Sequence, residues 1–476
     1  MEDTIYRPIT QLTDLLRTRE ISPVELIEAT FAEIDRHEPR LNAFIFLFRE
    51  QSLELAKQAE AEIRSGHNRG LLHGIPIALK DIINVSGAPT TCGSKRLSDN
   101  YATSDATVVA KLKQAGAIII GKTNLHEFAF GVTTENPHFG TTANPWDVAR
   151  VPGGSSGGSA AAVVSGFCAG ALGTDTGGSI RIPAALCGNV GLKPTYGRVS
   201  VHGVVELAQS LDCVGPMCRY VQDVAIMMNT LSGHDARDVH SENQPVDDYT
   251  ERLGESINGW KIGIPKQHFF DDLHPEVESA VDEAIKTLSG LGVEIVELNL
   301  PSVPEAHDAT LTILMAEAGY FHRQRVVDYR DSYGADVREL LEAGKALSAA
   351  DYIKAVRAQE ITRREFSQAF ERVDLMVLPT VPILAPLRSG GSESNRIRPR
   401  LTQNTRIFNL LGLPAISVPC GFTQAGLPIG LQIVGKWWSE KTLLQAAYTY
   451  EKATPWHTRN VKLNHGVQAE GMTLQE

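Results

Sequence analysis

Apolar residues at the start of the chain recur at helical spacing: Ile9, Leu12, Leu15 and Leu16 fall on one face of a 3.6-residue repeat. Ser22-Pro23-Val24-Glu25 follows as a start signal, with a capping hydroxyl, a proline that has no N–H to lose, and an acid in the first turn. Two amphipathic helices are predicted over residues 8–36 and a third, rich in Ala and Glu, over residues 50–65, where Gly66 stops it. At residues 72–80 the period changes. Gly74-Ile75-Pro76-Ile77-Ala78-Leu79-Lys80-Asp81 is a short apolar run ending in a charge pair, the pattern of a buried strand that delivers a lysine at its end.

From Asp105 onward helix and strand alternate. Residues 106–114 read as a helix stopped by Gly116, and residues 117–120 as a strand ending in a turn at Gly121. The unit recurs as a helix over 276–292 and a strand over 293–298, with an earlier strand over 261–264. Residues 160–172, a run of small apolar side chains, read as a tightly packed helix. Residues 311–370 are mostly helical; 374–379, 415–419 and 429–434 read as strands, and 440–453 as a closing helix against which the pair Trp437-Trp438 packs. Two polar stretches read as surface: 233–250, short of apolar residues, and 388–405, a long loop of the kind that shapes the mouth of a site. Such alternation implies an α/β architecture with helices packed on a largely buried sheet.

Composition narrows the class. With 476 residues, 42% of them hydrophobic and 21% charged, the chain is neither disordered nor fibrous. A net charge of −11 argues against a nucleic-acid-binding surface. Six dispersed cysteines without a C-x-x-C pair read as reduced, buried thiols. The N-terminal MEDTIYRP lacks the apolar core of a signal peptide, and the run 160–172 is too short for a membrane span, so a cytoplasmic protein is expected. One motif misleads. Gly116-Ala117-Ile118-Ile119-Ile120-Gly121-Lys122-Thr123 matches the phosphate-loop pattern letter for letter, but that loop must wrap backbone N–H groups around an anion, and Ala-Ile-Ile-Ile is the core of a strand.

The chemistry concentrates in residues 151–183, where Gly153-Gly154-Ser155-Ser156-Gly157-Gly158-Ser159 and Gly177-Gly178-Ser179 are two glycine-flanked serine clusters. Each offers a hydroxyl beside backbone with no side chain in the way, as a nucleophile and its oxyanion site both need. A useful G-x-S-x-G elbow is missing, and none of the 14 histidines falls in this stretch. The other base available to a serine is a neutral amine, whose pKa burial can bring toward neutrality. Lys80, at the end of an apolar strand, meets that need best, and Lys193 in Gly191-Leu192-Lys193-Pro194 is second. The competing reading of Lys80 is a solvated strand-end lysine or a partner for Asp81. Thr176, Gly177, Gly178 and Ser179 can aim successive N–H groups at one point, an oxyanion hole. Asp175 and Arg181 flank that loop and read as its structural support.

These serine clusters, with Gly173-Thr174-Asp175 through Ile182-Pro183-Ala184, Gly74-Ile75-Pro76, Lys80-Asp81, Gly121-Lys122-Thr123-Asn124 and Gly191-Leu192-Lys193-Pro194-Thr195, resemble the amidase signature family over residues 9–457. The resemblance implies a single amidase domain over 1–476, a large mixed central β-sheet covered by helices on both faces. Its parts would be N-terminal helices over 8–66, a signature core over 72–230, an α/β portion over 258–457 and a short polar tail. It further implies a Ser-cisSer-Lys triad: Ser179 the nucleophile, Lys80 the base, and Ser155, after a cis Gly154–Ser155 peptide, the bridging hydroxyl. Ser156 is the neighbour most easily confused with it. Ala129, Phe130 and Gly131 would line the acyl side of the pocket, while Phe128 and Phe130 read equally as core. No metal and no cofactor is implied. The substrate would be a small-molecule amide, carbamate or urea-like compound; no nucleic acid is bound directly, no membrane is involved, and a homo-oligomer stays open.

The family includes general acylamidases, arylamidases and the glutamine-hydrolysing component of glutamyl-tRNA amidotransferase, which this chain resembles strongly in the core. That component's glutamine-binding arginine and aspartate would fall near residues 337–344 and 401–406. The first segment holds Arg338; the second, Leu401-Thr402-Gln403-Asn404-Thr405-Arg406, holds no acid. This departure favours a stand-alone amidase over the tRNA-linked enzyme. A non-catalytic scaffold subunit is a third reading.

Overall fold

A computed structural model describes residues 4–391, 393–461 and 463; most of the polar C-terminal tail lies outside them. In chain order the strands are β1 (Phe44–Leu47), β2 (Pro76–Lys80), β3 (Ile118–Thr123), β4 (Glu135–Asn136), β5 (Gly140–Thr141), β6 (Gly170–Asp175) and β7 (Val190–Lys193). The remainder are β8 (Cys213–Cys218), β9 (Lys261–Pro265), β10 (Glu294–Leu298), β11 (Leu375–Pro379), β12 (Ala415–Phe422) and β13 (Pro428–Gly435). Apart from the hairpin β4–β5 they build one eleven-stranded sheet in the order β1-β3-β2-β6-β8-β7-β12-β13-β11-β9-β10. Pairing is parallel where β2 meets β3 and β6 and where β9 meets β10 and β11, and antiparallel at the other contacts. The sheet is therefore mixed, as expected.

Alternate strand residues enter different cores. Ile77 and Leu79 of β2, Ile119 of β3 and Leu172 of β6 join one hydrophobic cluster, with the helices Val221–Leu231 and Glu440–Lys452. Ala78, Ile118, Ile120 and Ala171 join a second, with the helices Pro23–Leu41 and Gly157–Val164. This period of two puts packed helices on both faces. Lys80 shares the parity of Ala78, so it leaves the strand on the face covered by the helix Gly157–Val164, beside the first serine cluster.

The N-terminal helices form as Ile9–Thr18, Pro23–Leu41 and Arg49–Arg64. Ser22 and Glu25 cap the second reciprocally: Ser22 Oγ accepts from the Glu25 N–H at 3.1 Å and Glu25 Oε2 from the Ser22 N–H at 2.7 Å. Residues 233–250 carry no helix or strand, and all six cysteines are buried and free. No helix of the described residues is long and apolar enough to cross a membrane. Trp437 and Trp438 follow β13, but their rings meet the guanidiniums of Arg363 and Arg198.

Three local expectations are corrected. The strand predicted to turn at Gly121 continues to Thr123, because the glycine serves close approach: a Cβ there would lie 2.5 Å from the Phe46 carbonyl of β1. Lys122 is consequently a strand residue, buried and paired with Asp81 at 2.7 Å, and residues 116–123 are no phosphate loop. The small-residue run 160–172 is helical only to Val164; it turns at Gly166 and re-enters the sheet as β6. Side chains buried all round carry no periodicity that separates helix from strand. Finally, the polar stretch 388–405 contains a helix, Ser394–Thr402. Ile397 and Leu401, one turn apart, seat it on Val132, Ile182 and Leu186, a narrow apolar pair outnumbered by polar neighbours in the sequence.

Gly121→Ala should lower the unfolding free energy by about 1–3 kcal/mol, the usual effect of overpacking. The urea midpoint of the variant against the parent chain checks this, and an unchanged midpoint would refute the close-approach account.

Candidate active site

Lys80 ends a strand whose five residues are all buried, and its own side chain is fully buried. Its Nζ lies 2.7 Å from Ser155 Oγ and 2.7 Å from Thr174 Oγ1. Loss of water pulls its pKa down to about 7, against the opposing pull of the Asp175 and Asp212 charges. The amine is thus poised to take up and return a proton near neutrality. Asp81, its proposed competitor, is committed to Lys122. The second candidate, Lys193, donates to the Pro194 carbonyl at 2.8 Å and faces Cys213 rather than a serine.

The backbone separates the neighbouring serines. The peptide bond Gly154–Ser155 is cis. Ser156 Oγ is engaged at both ends by the backbone of Thr174, donating to its carbonyl at 3.2 Å and accepting its N–H at 3.3 Å. Ser155 is the serine left to meet Lys80. The two serine clusters are tied by the Ser156 N–H, which donates to the Ser179 carbonyl at 3.2 Å. Ser179 Oγ has no side-chain hydrogen bond among the described residues, and Ser179 retains 7% exposure whereas Ser155 has none. No histidine ring bonds either serine among the described residues. His126, whose N–H reaches the Ser155 carbonyl at 3.2 Å, spends its ring on Asp336 at 2.8 Å.

The Ser179 turn is held from below. Burial opposes ionisation of Asp175, but Arg181, Lys193 and Asn409 outweigh it and hold its carboxyl well below the usual range. Arg181 grips Asp175 through Nη2 at 2.9 Å and Nε at 3.0 Å, and reaches Thr405, Gln432 and Asn409 with its remaining donors. The amides of Gly178 and Ile180 donate to Asp175 at 2.8 and 3.1 Å. This revises the expected four-amide nest: the Gly178 N–H points inward to Asp175, leaving those of Thr176, Gly177 and Ser179. Gly178 has φ +128°, and a Cβ would collide with the Thr405 hydroxyl, so the turn requires glycine here. Behind it, Thr176 Oγ1 donates to Asp212 at 2.5 Å, and burial pushes the Asp212 carboxyl up to about 6.

Ala129, Phe130 and Gly131 form a strained turn beside the serines, with Phe128 and Ala129 at φ +51° and +60°. Phe128 is core, packed on His322 and Tyr333. Phe130 instead gives its carbonyl to Arg398 Nη2 at 3.0 Å, and Gly131 packs on the His126 ring. In the segments expected to bind glutamine, Arg338 is turned toward Asp331 at 3.6 Å on the surface, whereas Arg398 and Arg406 are buried. Sequence reasoning missed Thr174, Asp212, Arg398 and Arg406. Thr174 stood in the quoted motif; the others are distant in sequence and carry no local signal. Among the described residues no three His, Cys, Asp or Glu converge to hold a metal ion.

The amidase family model matches residues 25–444. The chain belongs to the amidase family, enzymes that hydrolyse amide C–N bonds. It is 43% identical to the amidase-family component of the glutamyl-tRNA(Gln) amidotransferase of Heliobacterium modesticaldum, over 94% of this chain and 97% of that protein. Among solved structures, the corresponding glutamyl-tRNA(Gln) amidotransferase component from Thermotoga maritima superposes with a TM-score of 0.77 at 35% identity, covering 91% of this chain and 92% of that one. A bacterial aryl acylamidase of the amidase signature family gives a TM-score of 0.87 at 28% identity, covering 95% and 97%. The amidase architecture thus accommodates both kinds of enzyme.

Asp175→Ala would leave the Arg181 guanidinium buried without its counter-charge. A loss of about 3–5 kcal/mol in stability is expected, read from denaturant unfolding; a loss under about 1 kcal/mol would show the pair to be dispensable.

Proposed function

We propose that this amidase cleaves a carboxamide through an acyl-Ser179 intermediate, with Ser155 relaying protons between Ser179 and Lys80. The observation that carries the reading is the buried Lys80 amine 2.7 Å from Ser155 Oγ, with the Ser179 turn tied to the same backbone. Ser179 Oγ attacks the carbonyl carbon while its proton passes to Ser155 and that of Ser155 to the neutral amine of Lys80. The N–H groups of Thr176, Gly177 and Ser179 are the donors available to the developing oxyanion. Lys80 returns the proton through Ser155 to the leaving nitrogen, which departs as amine or ammonia. Water then attacks the ester, the relay runs again, and the acid leaves with Ser179 restored.

Between the two substrate readings, the glutamyl-tRNA(Gln) amidotransferase relatives support a glutamine-hydrolysing component more strongly than the absent acid in 401–406 supports a free amidase. Identity of 43% over 94% of the chain outweighs a departure at one segment. In the amidotransferase reading the ammonia freed at Ser179 passes to partner proteins. A fluorophosphonate label on Ser179, followed by a panel of glutamine, alkyl amides and anilides with and without candidate partner proteins, separates the readings. A chain that takes no label and turns over nothing would be the silent scaffold.

Lys80→Ala should lower kcat by about 10²–10⁴-fold, the span of general-base effects, and wild-type turnover in that variant would exclude Lys80 as base. Because the neutral amine is the active form, kcat/KM should rise with pH through a midpoint near 7 and level off above it. Below the midpoint it should fall about tenfold per pH unit. A profile flat from pH 5 to 9 would count against the relay.

A further inference from the structure

Arg398 and Arg406 are only 7% and 5% exposed, and neither forms an ion pair among the described residues. Burying a guanidinium without a counter-charge is unfavourable, so their placement calls for a cause. They stand on the two walls of the serine site. Arg398 donates to the Phe130 carbonyl at 3.0 Å with its guanidinium 5.1 Å from the Phe130 ring. Arg406 rests on the turn that carries Ser179: a Cβ on Gly177 would lie 3.5 Å from that of Arg406, and the adjacent Thr405 hydroxyl donates to the Gly177 carbonyl at 2.7 Å.

A third donor joins them. Arg406 Nη2 lies 2.6 Å from His307 Nδ1. A guanidinium can only donate, so Nδ1 accepts and the hydrogen of the neutral imidazole sits on Nε2. Burial, with Arg406 and His268 nearby, keeps that ring neutral. Arg398 Nε, Arg406 Nε and His307 Nε2 are all buried and lack an acceptor among the described residues. The acids close by do not supply one: Asp336 is bonded to His126, and Asp308 lies 3.7 Å from His307 Nδ1 on a side chain 86% exposed. Buried donors in native proteins are almost always satisfied, and three beside one site, two of them cationic, match a group that only accepts.

We infer that Arg398, Arg406 and His307 form a subsite for a carboxylate on the acyl part of the substrate, which makes the preferred substrate class the monoamides of dicarboxylic acids. The inference rests on the acyl-Ser179 reading, since it is the acyl group that the Phe130 side of the pocket would receive. Glutaramate, the five-carbon monoamide, and hexanamide, a neutral amide of similar length, test it on the wild-type protein. The expected kcat/KM ratio is at least about 100-fold in favour of glutaramate, the effect of one buried charge-assisted pair. Arg406→Gln and Arg398→Gln should each bring that ratio below about 10, with restoration toward the wild-type ratio in the lysine variants.

Should the variants fail to fold, wild-type inhibition decides: glutarate should inhibit at least about tenfold more tightly than hexanoate. Equal turnover of the two amides, or equal inhibition by the two acids, in a protein whose Ser179 still takes the fluorophosphonate label would overturn the subsite. Loss of labelling would instead overturn the nucleophile assignment, on which the subsite depends.

Discussion

The structure turns on a lysine without water. Lys80 sits at the end of an apolar strand in the middle of an eleven-stranded sheet, and its amine finds hydroxyls, Ser155 and Thr174, rather than a carboxylate at hydrogen-bond distance. A bonded carboxylate would stabilise the ammonium and remove its value as a base. Asp81, the adjacent acid, is drawn off by Lys122, and Asp175 by Arg181. The fold therefore keeps two nearby negative charges occupied so that a third group can stay neutral. Because β2 is immobile in the sheet, the serines must be brought to the lysine, and the two glycine-rich turns do this.

Arg181 links that chemistry to the rest of the chain. Its bonds to Asp175 fix the Ser179 turn, while those to Thr405, Asn409 and Gln432 fasten it to the C-terminal half of the sheet. A change in packing around β13 would thus reach the turn through a single planar group with little freedom of its own. The same construction explains why Gly178 contributes its N–H to support rather than to the oxyanion side: Asp175 needs that donor to remain ionised in a dry environment.

Membership of the amidase family accounts for this apparatus and leaves the substrate to the surrounding walls. The likeness to the glutamyl-tRNA(Gln) amidotransferase component is spread over nearly the full chain, yet the helix Ser394–Thr402 and its continuation to Arg406 present buried guanidiniums where the sequence had suggested a polar loop. That helix lies over the Phe130 turn, so the residues facing an acyl group come from a part of the chain far from the serines. Substrate identity is decided at such junctions between distant segments.

The sequence by itself determined the alternation of helix and strand, the capped second helix, the strand that carries Lys80 and the two serine turns. Each is a local matter: periodicity, a capping side chain, or a glycine that frees the backbone. It also located Lys80, Ser155 and Ser179 before any contact was known, because a motif of that length fixes identity at each position. It misjudged Gly121, the 160–172 run and the helix at 394–402, where burial on all sides or a short apolar pair hides the period. Only the tertiary structure decided that Ser155 and not Ser156 meets the lysine, that the Gly178 amide faces inward, and that Arg398, Arg406 and His307 share one dry corner. Those facts depend on which distant groups compete for the same donors and on how much water each retains, and neither quantity is written in local order along the chain.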